Sequence, residues 1–307
     1  MIRSEGGRRA GVGAFEGGRR VMEGADPGFR IMGVVNVTPD SFSDGGLFLD
    51  PAAAIAHGRL LESEGAAILD IGGESTRPGS RGVSEADELG RVMPVIDGLV
   101  AAGTGAQISI DTSKREVAAV ALAAGATYVN DVTAFRHDAG MAGLVAESGA
   151  DCCLMHMLGD PRTMQIDPRY EDVVSEVKLF LDERMAFAVA EGVAEQRIML
   201  DPGIGFGKTL EHNLELLRRI GEIVALGRPV VIGTSRKSFL GRLTGREVGD
   251  RVFGTIATSV LAYERGARVF RVHDVAAVHD ALAVTAATVR EPWPPTNPTT
   301  SSTSSTT

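Results

Sequence analysis

The sequence predicts an α/β fold, a single-domain (β/α)8 TIM barrel, on three observations. Short runs rich in Ile, Val and Leu recur eight times along the chain. Longer stretches with helical spacing lie between them. The short runs are continuously apolar instead of alternating, as strands of a parallel sheet covered on both faces must be. Eight strand and helix units over about 260 residues match the usual size of such a barrel. A doubly wound open sheet is the alternative, but it usually has fewer strands and a single crevice at one switch point.

In chain order the strands are predicted at Arg30–Asn36, Ala66–Gly72, Gln107–Asp111, Thr127–Asp131, Asp151–His156, Arg197–Asp201, Pro229–Ser235 and Val269–His273. Helices are predicted at Pro51–Glu64, Lys114–Ala124, Tyr170–Glu191, His212–Leu226 and Gly254–Arg265, among others. Val117, Val120, Ala121 and Ala124 show the 3.6-residue spacing of one apolar face. Asp50 followed by Pro51 reads as a cap and a proline in the first helical position.

The folded domain is expected over 30–290. Residues 1–29, rich in Gly and Arg with Glu5, Glu16, Glu23 and Asp26 interspersed, have no apolar centre for a signal peptide and read as a disordered leader. Residues 291–307 are a Pro, Ser and Thr tail that cannot build a core.

Composition narrows the function. The 307 residues carry 40 acidic and 31 basic side chains, a net charge of −9. That excludes a nucleic-acid partner, which wants a basic face. No apolar run is long enough to span a membrane. Cys152 and Cys153 are adjacent, so on a strand they point to opposite faces and do not bond each other. Glycine, at roughly 12% against a typical ~7%, implies many tight loops. Together these suggest a cytoplasmic enzyme.

The strand ends carry the functional signal. Asn36, Asp70, Asp111, Asn130 with Asp131, His156, Asp201, Ser235 and His273 all fall at or near the C-terminal end of a predicted strand. In a barrel those ends converge on one mouth, where active sites are built. Two familiar signatures fail. Pro202–Thr209 (PGIGFGKT) has proline where a P-loop needs its first glycine, and Lys208 where a dinucleotide loop needs its last. The six histidines lack zinc-site spacing, and no G-x-S-x-G elbow occurs.

What remains is a set of polar loops: Asn36–Gly46, Gly72–Ser80, Thr234–Gly241 and Arg271–Asp274. Arg271 and His273, two residues apart, share one strand face and suit an anion. Arg271 has a second reading, as the partner of an inward carboxylate, and Arg77 as a solvated loop charge. Asp111, Asn130 and Asp201 project inward from three strands. They suit a flat heterocycle with amino and lactam edges, because a carboxylate accepts two parallel N–H bonds and an amide reads the rest. Metal binding by the two aspartates is the competing use.

The motifs IMGVVNVTPDSFSDGG, LDIGGESTRPGS, SIDTSK, YVNDV, LMHM, LDPGIGFGKT, GTSRKSFLG and RVHDV, in this order, resemble the dihydropteroate synthase family from about Ile31 to Val289. The resemblance implies a barrel, generally a homodimer. It also implies the condensation of (7,8-dihydropterin-6-yl)methyl diphosphate with 4-aminobenzoate in folate biosynthesis, with Mg2+. Asp111, Asn130 and Asp201 would hold the pterin, with Lys237 on its opposite edge. Asn36, Arg271 and His273 would bind diphosphate, Asn36 also contacting the metal. Thr76, Arg77, Pro78, Phe206, Lys237 and Ser235 would form the 4-aminobenzoate pocket. Phe42 and Asp44 would lie on a loop that closes over the site. Asp201, Lys237, Arg271, His273 and Asp44 would serve catalysis. Two other readings remain: a pterin-binding methyltransferase acting on a corrinoid protein, which has no use for both the STRPG and TSRKS loops, and a pterin-binding paralogue without turnover.

Overall fold

The structure is a computed structural model and describes residues 28–38, 50–76, 79–80 and 82–289. Its strands are β1 (Arg30–Asn36), β2 (Ile68–Gly72), β3 (Gln107–Asp111), β4 (Tyr128–Asp131), β5 (Asp151–Met155), β6 (Ile198–Asp201), β7 (Val231–Ile232) and β8 (Val269–Val272). All pair in parallel, in the order β6-β5-β4-β3-β2-β1-β8-β7. One parallel bridge, Leu200 to Val230, joins the two outer members, so the sheet curls into a barrel with a seam between β6 and β7.

The helices are α1 (Pro51–Ser63), α2 (Glu85–Ala101), α3 (Arg115–Ala123), α4 (Met141–Ser148), α5 (Val173–Ala190), α6 (Leu210–Arg218), α7 (Gly221–Val224), α8 (Ser238–Thr244), α9 (Val252–Glu264) and α10 (Val275–Val289). Asp50 caps α1 as expected, its carboxylate accepting from the Ala52 N–H at 3.0 Å. The helix expected over His212–Leu226 is two. Arg219 leaves helical geometry at φ −106°, ψ 20°, where its guanidinium is tied to Asp172 and Glu222, and Gly221 then starts α7. β7 is shorter than expected, because Pro229 has no N–H to give a ladder.

Strand parity sorts the side chains. Outward residues such as Ile31, Val35, Leu69, Ile110, Val129, Leu154 and Phe270 meet the helices in the main core. Inward residues Met32, Ile68, Tyr128, Cys153, Met199, Val231 and Val269 plug the barrel's middle. Cys152 lies in the outer core and Cys153 in the plug, both as free thiols. Below the plug, Gln107 accepts from Arg30 at 2.6 Å and donates to Asp151 at 2.8 Å, closing the floor. Above it lies the polar layer described below.

One boundary moves. Phe29, placed in the leader from composition, is 5% exposed and packs edge-on against Tyr263 at 6.1 Å and His279 at 5.6 Å. A single aromatic next to a strand is a weak signal in a Gly/Arg-rich stretch. Residues 1–27 and 290–307 lie outside the described residues, and with them the rest of the leader and the tail. Phe29→Ala is expected to lower unfolding free energy by about 3 kcal/mol, as a core Phe truncation does; urea denaturation measures it.

Candidate active site

Inward parity carries five polar side chains to the C-terminal mouth: Asp70 from β2, Asp111 from β3, Asn130 from β4, Asp201 from β6 and Arg271 from β8. Register sets Asp111 beside Asn130, Asp70 beside Ser109 and Asp201 beside Met155. The Arg271 guanidinium donates through Nε to Asp70 at 2.6 Å and through Nη2 to Asp111 at 2.7 Å. Asp70 is fully buried and also accepts from Ser109 Oγ at 2.6 Å and Asn130 Nδ2 at 3.0 Å. The second reading of Arg271, as a partner of inward carboxylates, is therefore realised, with two of its five N–H donors used on them.

Asp70 is the residue that sequence reasoning left without a role. It shares strand-end position with Asp111, and its inward parity was the available signal. Asp131 and His156 have the opposite parity and do not join the mouth. Asp131 accepts from the Thr133 N–H at 2.7 Å and the Phe135 N–H at 2.9 Å, holding Ala134 and Phe135 at positive φ. The His156 ring lies edge-on to Phe180 of α5 at 4.8 Å.

The β7–α8 loop delivers two residues to the mouth through one strained link. Arg236 sits at φ 58°, in the left-handed region. It is held there by Asp274, which accepts from Nη2 at 2.7 Å, and by Arg251, whose Nη1 donates to the Arg236 carbonyl at 3.0 Å. On one side of it, Ser235 Oγ pairs with His273 Nδ1 at 3.0 Å and accepts from the His273 N–H at 3.1 Å. On the other, Lys237 donates to the Ile204 carbonyl and lies 4.7 Å from the Phe206 ring centroid.

The glycine-rich β6–α6 loop is a packing device. Gly203, Gly205 and Gly207 all have positive φ. A Cβ on Gly203 would lie 1.9 Å from the His156 carbonyl oxygen, and one on Gly207 2.6 Å from Leu158 Cβ. Four successive carbonyls each accept from a different side chain: Ile204 from Lys237, Gly205 from Gln165, Phe206 from Lys208 and Gly207 from Tyr170. Phe206 packs beside Val132, Met155, Met157 and Met164.

Burial sets the electrostatics. It pushes Asp111 up to about 8, against the pull of Arg271 and with help from Asp70. It raises Asp201 as well, opposed by Lys237. It pulls Lys237 down to about 8, opposed by Asp201. Burial also works against Arg271, but Asp70 and Asp111 hold its guanidinium more firmly protonated than usual. Three carboxylates facing two cations favour a ligand with donor groups and a delocalised positive charge.

Of the other expected residues, Asn36 ends β1, half-buried, and Thr76 is half-buried on the β2–α2 loop. Phe42, Asp44, Arg77 and Pro78 lie outside the described residues. Among the described residues no cluster of three or more His, Cys, Asp or Glu forms a metal site.

Comparison with known proteins gives the family. The model of the pterin binding enzyme family matches residues 32–273. A dihydropteroate synthase of Neisseria meningitidis serogroup B is 49% identical over 261 residues, 83% of this chain and 91% of its own. The chain belongs to the pterin-binding enzymes, as a dihydropteroate synthase. Among solved dihydropteroate synthases, that of Yersinia pestis, in a sulfonamide drug complex, has a TM-score of 0.82 at 41% identity, covering 86% of this chain and 96% of that one. The Xanthomonas albilineans enzyme with 4-aminobenzoic acid scores 0.80 at 50% identity, covering 86% and 94%. The same enzyme with 7,8-dihydropteroate scores 0.77 at 47% identity, with the same coverage.

A lysine whose folded pKa lies below its unfolded value opposes folding fully below the folded pKa, and less as pH rises toward the unfolded one. Lys237→Met is therefore expected to raise the melting temperature at pH 7 and to raise it less at pH 9.5. Thermal melts at both pH values check this.

Proposed function

We propose that the chain, as a dihydropteroate synthase, holds a pterin diphosphate in the polar layer and joins its methylene carbon to the amine of 4-aminobenzoate. What supports this reading is the convergence of Asp111, Asn130 and Asp201 in one buried layer with Lys237 across from Asp201. Asp111, Asn130 and Asp201 take the amino and lactam edges of the ring, and Lys237 the opposite edge. Asn36, the remaining N–H donors of Arg271, and His273 take the diphosphate. Thr76, Arg77, Pro78, Phe206 and Ser235 wall the arylamine pocket, and Phe42 and Asp44 close over it. Ser235, already engaged by His273, acts there through the position it gives that ring. A sulfonamide, as an arylamine mimic, would take the same pocket.

The bond from methylene carbon to oxygen breaks first, its electron pair leaving with diphosphate. Arg271 and His273 stabilise that developing charge. The cation left on the ring lies among Asp111, Asp201 and Asp70, whose carboxylates favour it electrostatically. The arylamine nitrogen then forms the new bond with its lone pair and passes a proton to the released diphosphate. A weakly basic arylamine needs no activating base against such a cation.

Mg2+ fits the donor set as a metal carried mainly by the diphosphate, because this ion commonly keeps one or two protein ligands beside phosphate oxygens. Asn36 offers one hard oxygen at the strand end, and no closed cage is required. When bound, the ion would neutralise charge on the leaving group.

We further place the enzyme in the cytoplasm as a homodimer. Supporting the dimer, α9 and α10 pack side by side and expose Phe253, Leu261, Val284 and Val289, with Phe253 at 80%. No helix among the described residues is long and apolar enough to cross a membrane.

Diphosphate release is expected to require both substrates and Mg2+. Pterin binding without release would point to a paralogue lacking turnover. Asp201→Ala is expected to cost more than tenfold in rate, over ~1.4 kcal/mol of transition-state stabilisation, and near-normal activity would overturn the assignment. Phe253→Asp is expected to shift the particle mass toward the monomer in light scattering; an unchanged mass would remove this face from the interface.

A further inference from the structure

Three charged groups lie beneath the β2–α2 loop, outside the layer described above. Lys114 follows Asp111 by three residues and sits at the start of α3. Its ammonium donates to Glu74, on the loop, and to Glu88, on the first turn of α2. The two contacts differ in kind. Glu88 is fully buried, so its pairing with Lys114 is what lets that carboxylate stay inside. The Glu74 side chain is 27% exposed and has water available, so its bond to Lys114 answers no such need. Its effect is to tie the loop to the segment that carries Asp111.

The rest of the loop base is organised the same way. Arg91 of α2 donates to the Gly73 carbonyl at 2.7 Å. Ser80 Oγ donates to the Ser75 carbonyl, folding the loop on itself. A Cβ on Gly82 would lie 3.7 Å from Glu74 Oε1, so the loop's return limb passes the same carboxylate. At its far end the Gly79 N–H reaches the Pro161 carbonyl at 3.4 Å, in the segment after β5. The loop thus spans part of the mouth, and Thr76 lies between its anchored base and its tip.

We propose that Lys114 and Glu74 are positioning residues for the second substrate, fixing the base of the β2–α2 loop so that it walls the 4-aminobenzoate pocket. The proposal rests on the assignment of that loop to the arylamine, made above. It also means that the segment reading the pterin, through Asp111, carries the anchor of the loop that receives the amine.

Glu74→Gln keeps the side chain's shape and removes only its charge. It is expected to raise KM for 4-aminobenzoate by about fivefold or more, since displacement of a substrate wall by a fraction of an ångström is costly. KM for the pterin diphosphate, kcat at saturation and melting temperature should stay near wild type. Lys114→Arg should keep KM for 4-aminobenzoate low. Lys114→Met combined with Glu88→Gln removes the tie without leaving a lone buried charge, and should reproduce the Glu74→Gln effect. Arg77→Ala separates the two claims. If Arg77→Ala raises KM for 4-aminobenzoate while Glu74→Gln and the double variant do not, the anchor is overturned and the pocket assignment stands. If Arg77→Ala leaves that KM unmoved, the pocket assignment falls. Equal changes in both KM values with a lowered melting temperature would mark Glu74 as merely structural and overturn the proposal.

Discussion

The Arg271 guanidinium, held between two buried carboxylates, is the interaction on which the mouth of this barrel depends. Asp70 and Asp111 come from adjacent strands and both are buried, where a polar group without partners is costly. The guanidinium between them gives each a hydrogen-bonded partner, and the geometry then propagates. Asp70 accepts from the Asn130 amide nitrogen, so the Asn130 carbonyl oxygen is turned away from that carboxylate. Ser109, one layer down, donates to the other oxygen of Asp70. The polar layer therefore behaves as one unit. Removing its arginine would leave two buried carboxyl groups without their shared partner, a far larger loss than one ligand contact.

Much of this was legible from the chain because a parallel barrel imposes simple rules. Continuous apolar runs marked the strands, and the polar residues at their ends marked the mouth. Position at a strand end does not reveal which way a side chain points, however. Asp131 and His156 shared the end position of Asp111 and Asp201 but carry the opposite parity, so they serve the loops behind the sheet. Asp70 had the right parity and was noticed, yet nothing local announces a residue whose partner lies 201 positions away. The Pro229–Ser235 run read as a full strand because Val230, Val231 and Ile232 dominate it. Pro229 accepts from the Leu200 N–H but has no N–H of its own to donate, and Gly233 lies among Lys237, Arg271 and Asp201, so only the centre pairs as a strand.

The PGIGFGKT stretch shows how a rejected motif still carries meaning. Its glycines resemble those of phosphate loops, where N–H groups turn toward an anion. Here the carbonyls are the groups that matter, and four side chains, two of them from the β5–α5 segment, meet them in succession. Glycine is needed because neighbouring backbone passes within contact distance, at Gly203 against His156 above all. Lys208, the residue that disqualified the dinucleotide reading, proves to be an internal strut with His156 Nδ1 at 2.8 Å and the Phe206 carbonyl at 2.9 Å.

The seam has a consequence for how the molecule breathes. β1 and β2 are matched from Met32 to Asn36, whereas β6 meets its neighbour across the gap through a single bridge. Thin pairing of this kind is where local opening is least costly and where amide hydrogens exchange soonest. The two sides of the gap carry Asp201 and Lys237. Whatever bridges that aspartate and that lysine also staples the barrel shut, so occupancy and rigidity rise together through mass action. The barrel is least tightly paired at the edge of its own mouth.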